Sequence, residues 1–135
     1  MKAILSTSFI CLSLTFFSQG YISSFKNLNP DIEFENIHIK KLFTESNATT
    51  FAIWIKKSVK IHKHLNHVEN LYVSEGSGLF QLGDSTYTIQ EGDLIVIPKN
   101  TWHGVKVNLK KTMKVISVQS PEFKGIDRIF MKMEN

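Results

Sequence analysis

Short runs of alternating apolar and polar residues, or of β-branched and aromatic residues, recur along most of the chain. In residues 37–40 and 59–62 isoleucine or valine alternates with histidine or lysine, whereas residues 94–97 are apolar throughout. A period of two, or a short apolar run bounded by turn residues, is typical of β-strands. The pattern predicts nine strands, at residues 37–40, 51–55, 59–62, 71–73, 79–82, 86–89, 94–97, 105–107 and 114–118.

Turn-forming residues separate these runs. Glycine, aspartate, asparagine, serine and proline concentrate at residues 75–78, 83–85, 91–93, 98–100 and around 120–121. No segment carries a 3.6-residue apolar period long enough for a helix. Frequent turns without helices predict an all-β antiparallel fold, either a double-sheet barrel or a sandwich. Residues 126–130 fit either a last edge strand or one helical turn.

The first 20 residues have the pattern of a secretory signal peptide. Lys2 precedes an apolar run that ends at Phe17, and Ser18 and Gly20 put small residues at positions −3 and −1 of a cleavage site. The run is about 15 residues long, shorter than the roughly 20 that span a bilayer, although an uncleaved anchor is the alternative. We therefore expect a leader at 1–20, a tether at 21–33 and one domain at 34–135. The mature protein would be periplasmic or secreted and free of the membrane.

Composition and charge exclude several classes of protein. With 42% hydrophobic and 21% charged residues, the chain is neither disordered nor collagen-like. The formal charge is +4, and the local cluster of Lys56, Lys57, Lys60 and Lys63 divides between two faces of an extended segment, so we expect no nucleic-acid partner. The one cysteine, Cys11, lies in the leader. The mature chain would then have no disulfide, thiolate metal site or cysteine nucleophile.

Metal-binding residue types gather in the middle of the chain. His62 and His64 are two residues apart, so on a strand both imidazoles leave the same face, about 6.5 Å apart along the chain, and can converge on one ion. Glu69 follows a predicted bend at residues 65–66, and its carboxylate can add a third ligand if the next strand pairs back against the first. His103, after the apolar run 94–97, is a further histidine candidate.

With these residues in place, the chain resembles the cupin superfamily. The first motif of that family is a glycine, five residues, His-x-His, three or four residues, a glutamate, six residues and a glycine. His62, His64, Glu69 and Gly76 fit this motif from the first histidine onward. The chain departs from it at Lys56, where the motif has its first glycine.

The second cupin motif also resembles a segment of this chain. It is a glycine, five residues, Pro-x-Gly, two residues, a histidine, three residues and an asparagine, and Gly92, Pro98 and His103 match it at the right separations. Asn100 replaces the glycine of Pro-x-Gly, but asparagine tolerates a positive φ best after glycine. Val107 stands at the asparagine position, with an asparagine one place later. None of these departures affects a presumed ligand.

The resemblance implies a small double-stranded β-barrel, or jelly-roll, with a divalent transition metal held near one mouth by His62, His64, Glu69 and His103. Three imidazoles and one carboxylate suit Fe(II), Mn(II), Co(II), Ni(II) or Zn(II) and leave one or two coordination positions open. The alternative is a metal-free cupin in which the same residues form a hydrogen-bonded polar core. The resemblance also allows a homodimer.

Other residues carry simpler expectations. His67, at the bend, is expected on the rim in solvent, with a ligand or substrate role as the alternative. His38 alternates with isoleucines and is expected to face outward. Trp102 directly precedes His103 and is expected to face away from it. Turn positions are expected for Gly76, Gly78, Gly83 and Gly92.

The sequence leaves two functions open, besides a purely structural role in which replacing His62 or His103 would change neither metal content nor fold. The first is a metal-dependent enzyme, of dioxygenase, isomerase or lyase type, that acts outside the cytoplasm on a small polar molecule such as an organic acid or a sugar derivative. The second is a non-catalytic module that binds a small molecule or a sugar. The fold alone supports both functions. No acid or base beyond the presumed ligands indicates which of the two applies.

Overall fold

The computed structural model describes residues 22–132, so the predicted leader at 1–20 lies outside the described residues. The described part is almost entirely β-structure, and its helical element is a 3-10 helix at Phe25–Asn27. No helix between residues 22 and 132 is long and apolar enough to cross a membrane. The strands are β1 (Ile37–Glu45), β2 (Ala48–Ile55), β3 (Ser58–Lys63), β4 (Val68–Glu75), β5 (Ser77–Leu82), β6 (Ser85–Gln90), β7 (Leu94–Ile97), β8 (His103–Val107), β9 (Met113–Ser120) and β10 (Ile129–Phe130).

The strands form two five-stranded sheets. Their orders are β1-β2-β9-β4-β7 and β10-β3-β8-β5-β6, and the pairings are antiparallel. The predicted all-β antiparallel fold is therefore confirmed. The hydrogen-bonded ladders belong to two separate sheets and do not close into one continuous cylinder.

The core lies between the two sheets, because alternate residues of each strand point inward. On β9, Met113, Val115, Ser117 and Gln119 are all buried, and the last two place polar side chains among apolar neighbours. Burial of apolar surface stabilises such a core by roughly 25 cal/mol per Å². The buried apolar cluster draws on both sheets and comprises Ile55, Val73, Phe80, Ile89, Ile95, Ile97, Val105, Val107, Met113 and Val115.

All nine predicted strands are present, and the open question about the tail is resolved in favour of a strand. β10 pairs with β3, opposite Lys63 and His62. Asn100 has a φ of 59°, as expected of a residue that replaces glycine. Gly78 was expected in a turn but lies within β5, where a Cβ would come within 2.6 Å of the Lys106 carbonyl oxygen. It is needed for close strand packing and not for a turn.

The segment expected to be a tether packs on the outer side of the first sheet. The Lys114 side chain is buried, and its Nζ donates to the carbonyl of Phe25 at 2.6 Å. As predicted, the His38 side chain points away from the core between the sheets. On that outer face, however, it is covered by Trp54 and Asp31. Its ring lies 5.5 Å from that of Trp54, and its Nε2 is 2.9 Å from Asp31 Oδ1.

Candidate metal centre

The four residues with metal-binding chemistry meet between the two sheets. His62 on β3 and His103 at the start of β8 are direct cross-strand partners, and His64 follows the end of β3. Glu69 comes from β4, which pairs with β7 and β9 in the opposite sheet. The expectation that its strand pairs back against that of His62 is therefore wrong: the bend at residues 65–66 carries the chain across to the other sheet, and the carboxylate reaches the histidines from the facing side.

The side chains of this four-residue cluster are close enough to share one ion. One ligand atom from each of His62, His64, Glu69 and His103 lies within 4.8 Å of the others, and all four residues are buried. Glu69 Oε2 is 3.2 Å from His103 Nε2 and 3.7 Å from His64 Nε2. The rings of His62 and His103 are 4.3 Å apart between centroids. The structure therefore brings together every residue predicted for the site.

Backbone carbonyls fix the orientation of the three imidazoles. The Nδ1 atoms of His62, His64 and His103 lie 2.8, 2.7 and 2.9 Å from the carbonyl oxygens of Lys60, Asp127 and Thr101, respectively. A carbonyl only accepts, so each Nδ1 carries the hydrogen and donates it. In the neutral form each Nε2 therefore has a free lone pair, the arrangement found in metal-bound histidines.

Two polar side chains of β9 orient the carboxylate of Glu69 by hydrogen bonds. Its Oε1 accepts hydrogen bonds from Ser117 Oγ at 2.5 Å and from Gln119 Nε2 at 3.2 Å, which leaves Oε2 directed to the histidines. Ser117 and Gln119 are residues that the sequence interpretation missed. No sequence signal indicated them, because their alternation with Ile116 and Val118 predicts an outward position.

The pKa values favour the protonation states that a metal requires. Burial lowers the pKa of His62 to about 4, and repulsion from His103 and Arg128 acts in the same direction. Burial likewise lowers the pKa of His64, although Glu69 opposes this. Burial raises the pKa of Glu69, but its contacts with His103 and Ser117 outweigh that effect and hold the pKa at about 2. Near neutral pH His62 and His64 are therefore neutral and Glu69 is ionised.

The residues present fit a divalent transition metal. His64 Nε2 and His103 Nε2 are buried and have no partner in hydrogen-bonding geometry, an arrangement that normally costs free energy unless something else is bound. Three imidazole nitrogens and one carboxylate oxygen form a donor set suited to Fe, Mn, Co, Ni or Zn. A cation at this position would use the lone pairs that the protein leaves unpaired.

His67 belongs to a different arrangement, beside the four-residue cluster. It was expected on the rim in solvent, but it is buried. Its Nδ1 is 2.5 Å from Asp127 Oδ2, and its Nε2 is 2.9 Å from the Glu122 carbonyl. The chain after β9 folds back over the bend and covers it. Asp127 was not predicted, and no signal in its local sequence distinguishes it.

A narrow cavity of about 70 Å³ adjoins the cluster. His62, Glu69, His103 and Arg128 provide its charged or polar lining, and the rest of the wall is aliphatic or aromatic apart from a glycine. A single water needs roughly 10–15 Å³ by a comparable measure. The space therefore suits a small molecule with a polar end at the cluster and an apolar remainder.

Fold and site together define a class of protein: an antiparallel double-sheet β-protein with three histidines and a glutamate converging at one end of its interior. The family model described as a cupin domain matches residues 50–119, which include all four residues of the cluster. The chain belongs to the cupin family.

Comparison with individual proteins agrees with this assignment. A protein of Aquifex aeolicus (strain VF5), described as uncharacterized, is 28% identical over 99 residues, which cover 73% of this chain and 81% of the relative. The structure of Streptomyces PAC13 with uridine has a TM-score of 0.65 at 18% identity and covers 77% of this chain and 85% of its own. Pac13 is described as a nucleoside dehydratase.

A second structural neighbour is KdgF from a Halomonas species. It has a TM-score of 0.61 at 24% identity, over 68% of this chain and 85% of the neighbour. At such identities both solved structures establish the shared fold and nothing more about this chain.

Proposed function

We propose that this protein is a metal-dependent cupin that binds a small polar molecule at a divalent transition metal held by His62, His64, Glu69 and His103. The observation that carries the proposal is the convergence of four buried ligand atoms within 4.8 Å of one another, with His64 Nε2 and His103 Nε2 outside hydrogen-bonding geometry although Glu69 Oε2 is 3.7 and 3.2 Å away. A hydrogen-bonded polar core, the alternative role of these residues, would have paired those nitrogens with one another or with neighbouring groups.

A bound cation would act as a Lewis acid with open coordination positions for a substrate oxygen. The protein's own residues prepare that site. The carbonyls of Lys60, Asp127 and Thr101 hold the three imidazoles with Nε2 directed inward, and Ser117 and Gln119 orient the Glu69 carboxylate. The aliphatic wall excludes water and strengthens electrostatic interactions at the polar end of the cavity.

We favour an enzyme over a purely binding module. The supporting observation is that three residues of the cluster, His62, Glu69 and His103, line a cavity of about 70 Å³. One structural neighbour, Pac13, is described as a nucleoside dehydratase, and a variant of the same protein is described with uridine. The binding module is the second candidate, and turnover of a panel of small carboxylic acids and sugars by the metal-loaded protein separates the two.

The compartment is a further part of the proposal. The signal-like pattern of residues 1–20 supports export to the periplasm or the medium. Sequencing the N-terminus of the protein isolated from each cellular fraction tests this, since export with cleavage predicts a mature N-terminus near residue 21. The same purified sample gives the oligomeric state by light scattering, for which we propose a homodimer.

Elemental analysis tests the metal site directly. We expect the purified protein to contain about one transition-metal ion per chain and the His62→Ala variant to lose it, because one of four ligands is removed. His38→Ala is the matched control, since His38 is also a partly covered strand histidine but lies on the opposite face of its sheet, against Trp54. Equal metal content in wild type and His62→Ala, or loss in both variants, would contradict the proposal.

A further inference from the structure

Arg128 is the cationic side chain in the cavity that adjoins the four-residue cluster. It lines the same space as His62, Glu69 and His103, and the remaining lining residues carry no charge. Sequence patterns gave no reason to select it, because it comes from the segment after β9. Arg128 is exposed, so water solvates its guanidinium in the free protein, and its place in the cavity lining allows a ligand to take up its N–H donors.

Within residues 22–132, the protein supplies no such partner. The guanidinium lies 5.9 Å from the centroid of the Phe123 ring, and no described carboxylate or hydrogen-bond acceptor pairs with it. The neighbouring acid, Asp127, is fully used elsewhere: its carboxylate accepts from the backbone of Leu65 and Asn66 and pairs with His67. The N–H donors of Arg128 therefore remain available.

The backbone on both sides of Arg128 is anchored. On one side Asp127 is buried and tied to the bend at residues 65–67. On the other side β10 pairs with β3 opposite Lys63 and His62. The backbone of Arg128 is therefore already ordered beside the cavity, so a ligand that binds the guanidinium has to order the exposed side chain only.

The charged groups in the lining of the cavity are Arg128 and Glu69. With a divalent cation in place, Glu69 would be the single negative group facing two positive centres. Such a site attracts an anion, and the planar fork of a guanidinium matches a carboxylate.

We propose that Arg128 is the specificity-determining residue of this site and that it binds the carboxylate of a small organic acid whose apolar part occupies the aliphatic cavity. This inference rests on the proposed function and narrows its substrate class. A sugar is disfavoured, because its several hydroxyl groups would face aliphatic walls without hydrogen-bond partners. The small volume of the cavity restricts the acid to a short chain.

A pair of probes of equal shape tests the proposal. Butanoate and butanamide differ in charge and little else, and their binding to the metal-loaded protein can be followed by ligand-observed NMR titration. We expect wild type to bind butanoate at least tenfold more tightly than butanamide. Arg128→Gln should lose about tenfold in affinity for butanoate and none for butanamide, the change expected for one charge-assisted contact. Arg128→Lys should recover part of the loss.

Lys124→Gln is the matched control, since Lys124 is an exposed cation of the same segment that contacts Glu122 and does not line the cavity. It should bind both probes as wild type does. Equal affinities for the two probes, or unchanged butanoate binding by Arg128→Gln, would overturn the proposal. Elemental analysis of the same samples distinguishes failure of this inference from failure of the proposed function. If wild type contains metal but binds butanoate equally well without Arg128, only the inference about Arg128 is overturned. If wild type contains no metal, the proposed function is overturned as well.

Discussion

Two buried groups of histidine and carboxylate lie side by side in this protein: the four-residue cluster and a second group of His64, His67 and Asp127. They share His64 but differ in the hydrogen bonding of their histidine nitrogens. In the four-residue cluster, His64 Nε2 and His103 Nε2 lie 3.7 and 3.2 Å from the same oxygen, Glu69 Oε2, and neither is in hydrogen-bonding geometry with it. In the neighbouring His67–Asp127 pair, both nitrogens of His67 face acceptors, at 2.5 and 2.9 Å. Both groups have the composition and spacing of a metal site.

The difference shows that composition and burial do not by themselves identify a metal site. A buried polar group without a partner costs about 1–3 kcal/mol, and proteins keep such groups where a ligand or function requires them. The His67–Asp127 pair is satisfied within the protein, and its effect is to fasten the chain after β9 to the bend at residues 65–67. The contrast supports the proposed binding role of the first group and favours a structural role for the second.

The largest expected effect is on metal binding. Glu69→Gln should weaken metal affinity by more than about a hundredfold, because an anionic ligand is replaced by a neutral amide. His67→Gln should leave the affinity within about threefold of wild type if its role is structural. Competition titration with a chelator measures both. Loss of metal in His67→Gln with retention in Glu69→Gln would place the ion in the other group and reverse the comparison.

The next effect is on stability. Asp127→Ala should lower the free energy of unfolding by about 3 kcal/mol, because a buried carboxylate is removed and the N–H donors of Leu65, Asn66 and His67 lose their acceptor. For a domain of this size that corresponds to a fall of roughly 15 °C in the midpoint of thermal unfolding. Calorimetry or circular dichroism measures it on metal-free protein.

Asp93→Ala is the matched control for this variant. Asp93 also accepts a backbone N–H, that of Gln90 at 2.7 Å, but in an exposed turn, so about 1 kcal/mol is expected. Equal losses in the two variants would show that the His67–Asp127 pair does not fasten the chain.

The sequence predicts the four-residue cluster but not the His67–Asp127 pair. The strands follow from local alternation, and His62, His64, Glu69 and His103 follow from spacings within two short segments and from resemblance to a known family. Asp127 acts on residues about 60 positions earlier, through a return of the chain that no local pattern specifies.

Partial signals existed for other residues of the site. Ser117 and Gln119 alternate with Ile116 and Val118 on β9, a pattern that by itself places the polar side chains outward, so the sequence predicts the strand but not the face that is buried. The crossing of Glu69 to the opposite sheet could not have been predicted, because the sequence shows a bend at residues 65–66 but not its direction. Strand identity is thus local information, whereas sheet assignment depends on the whole fold.

A smaller effect is expected from the support of Glu69. Ser117→Ala removes the 2.5 Å hydrogen bond to Oε1 and leaves that from Gln119. Metal affinity should fall about tenfold, the usual cost of losing one group that orients a ligand. Ser74→Ala is a fair control, since its hydroxyl bonds to the Lys114 carbonyl and not to a residue of the cluster. Identical affinities for Ser117→Ala and wild type would mean that Gln119 alone suffices.

The smallest effect separates the two groups by their response to acid. The pKa of Asp127 is lowered to about 2; burial raises it, but the hydrogen bonds from His67, Asn66 and Leu65 outweigh that. A carboxyl group whose pKa is lower in the folded than in the unfolded chain stabilises the fold above its unfolded pKa, and this contribution is lost as the pH falls from about 4 to about 2.

Asp127→Asn carries no such group. The gap in unfolding free energy between wild type and Asp127→Asn should therefore be widest near pH 6 and shrink by about 1 kcal/mol by pH 2.5. Urea unfolding of the chelator-treated proteins measures it, and Glu69, present in both, cancels from the difference. A gap that stays constant with pH would show that ionised Asp127 contributes nothing to fastening the chain.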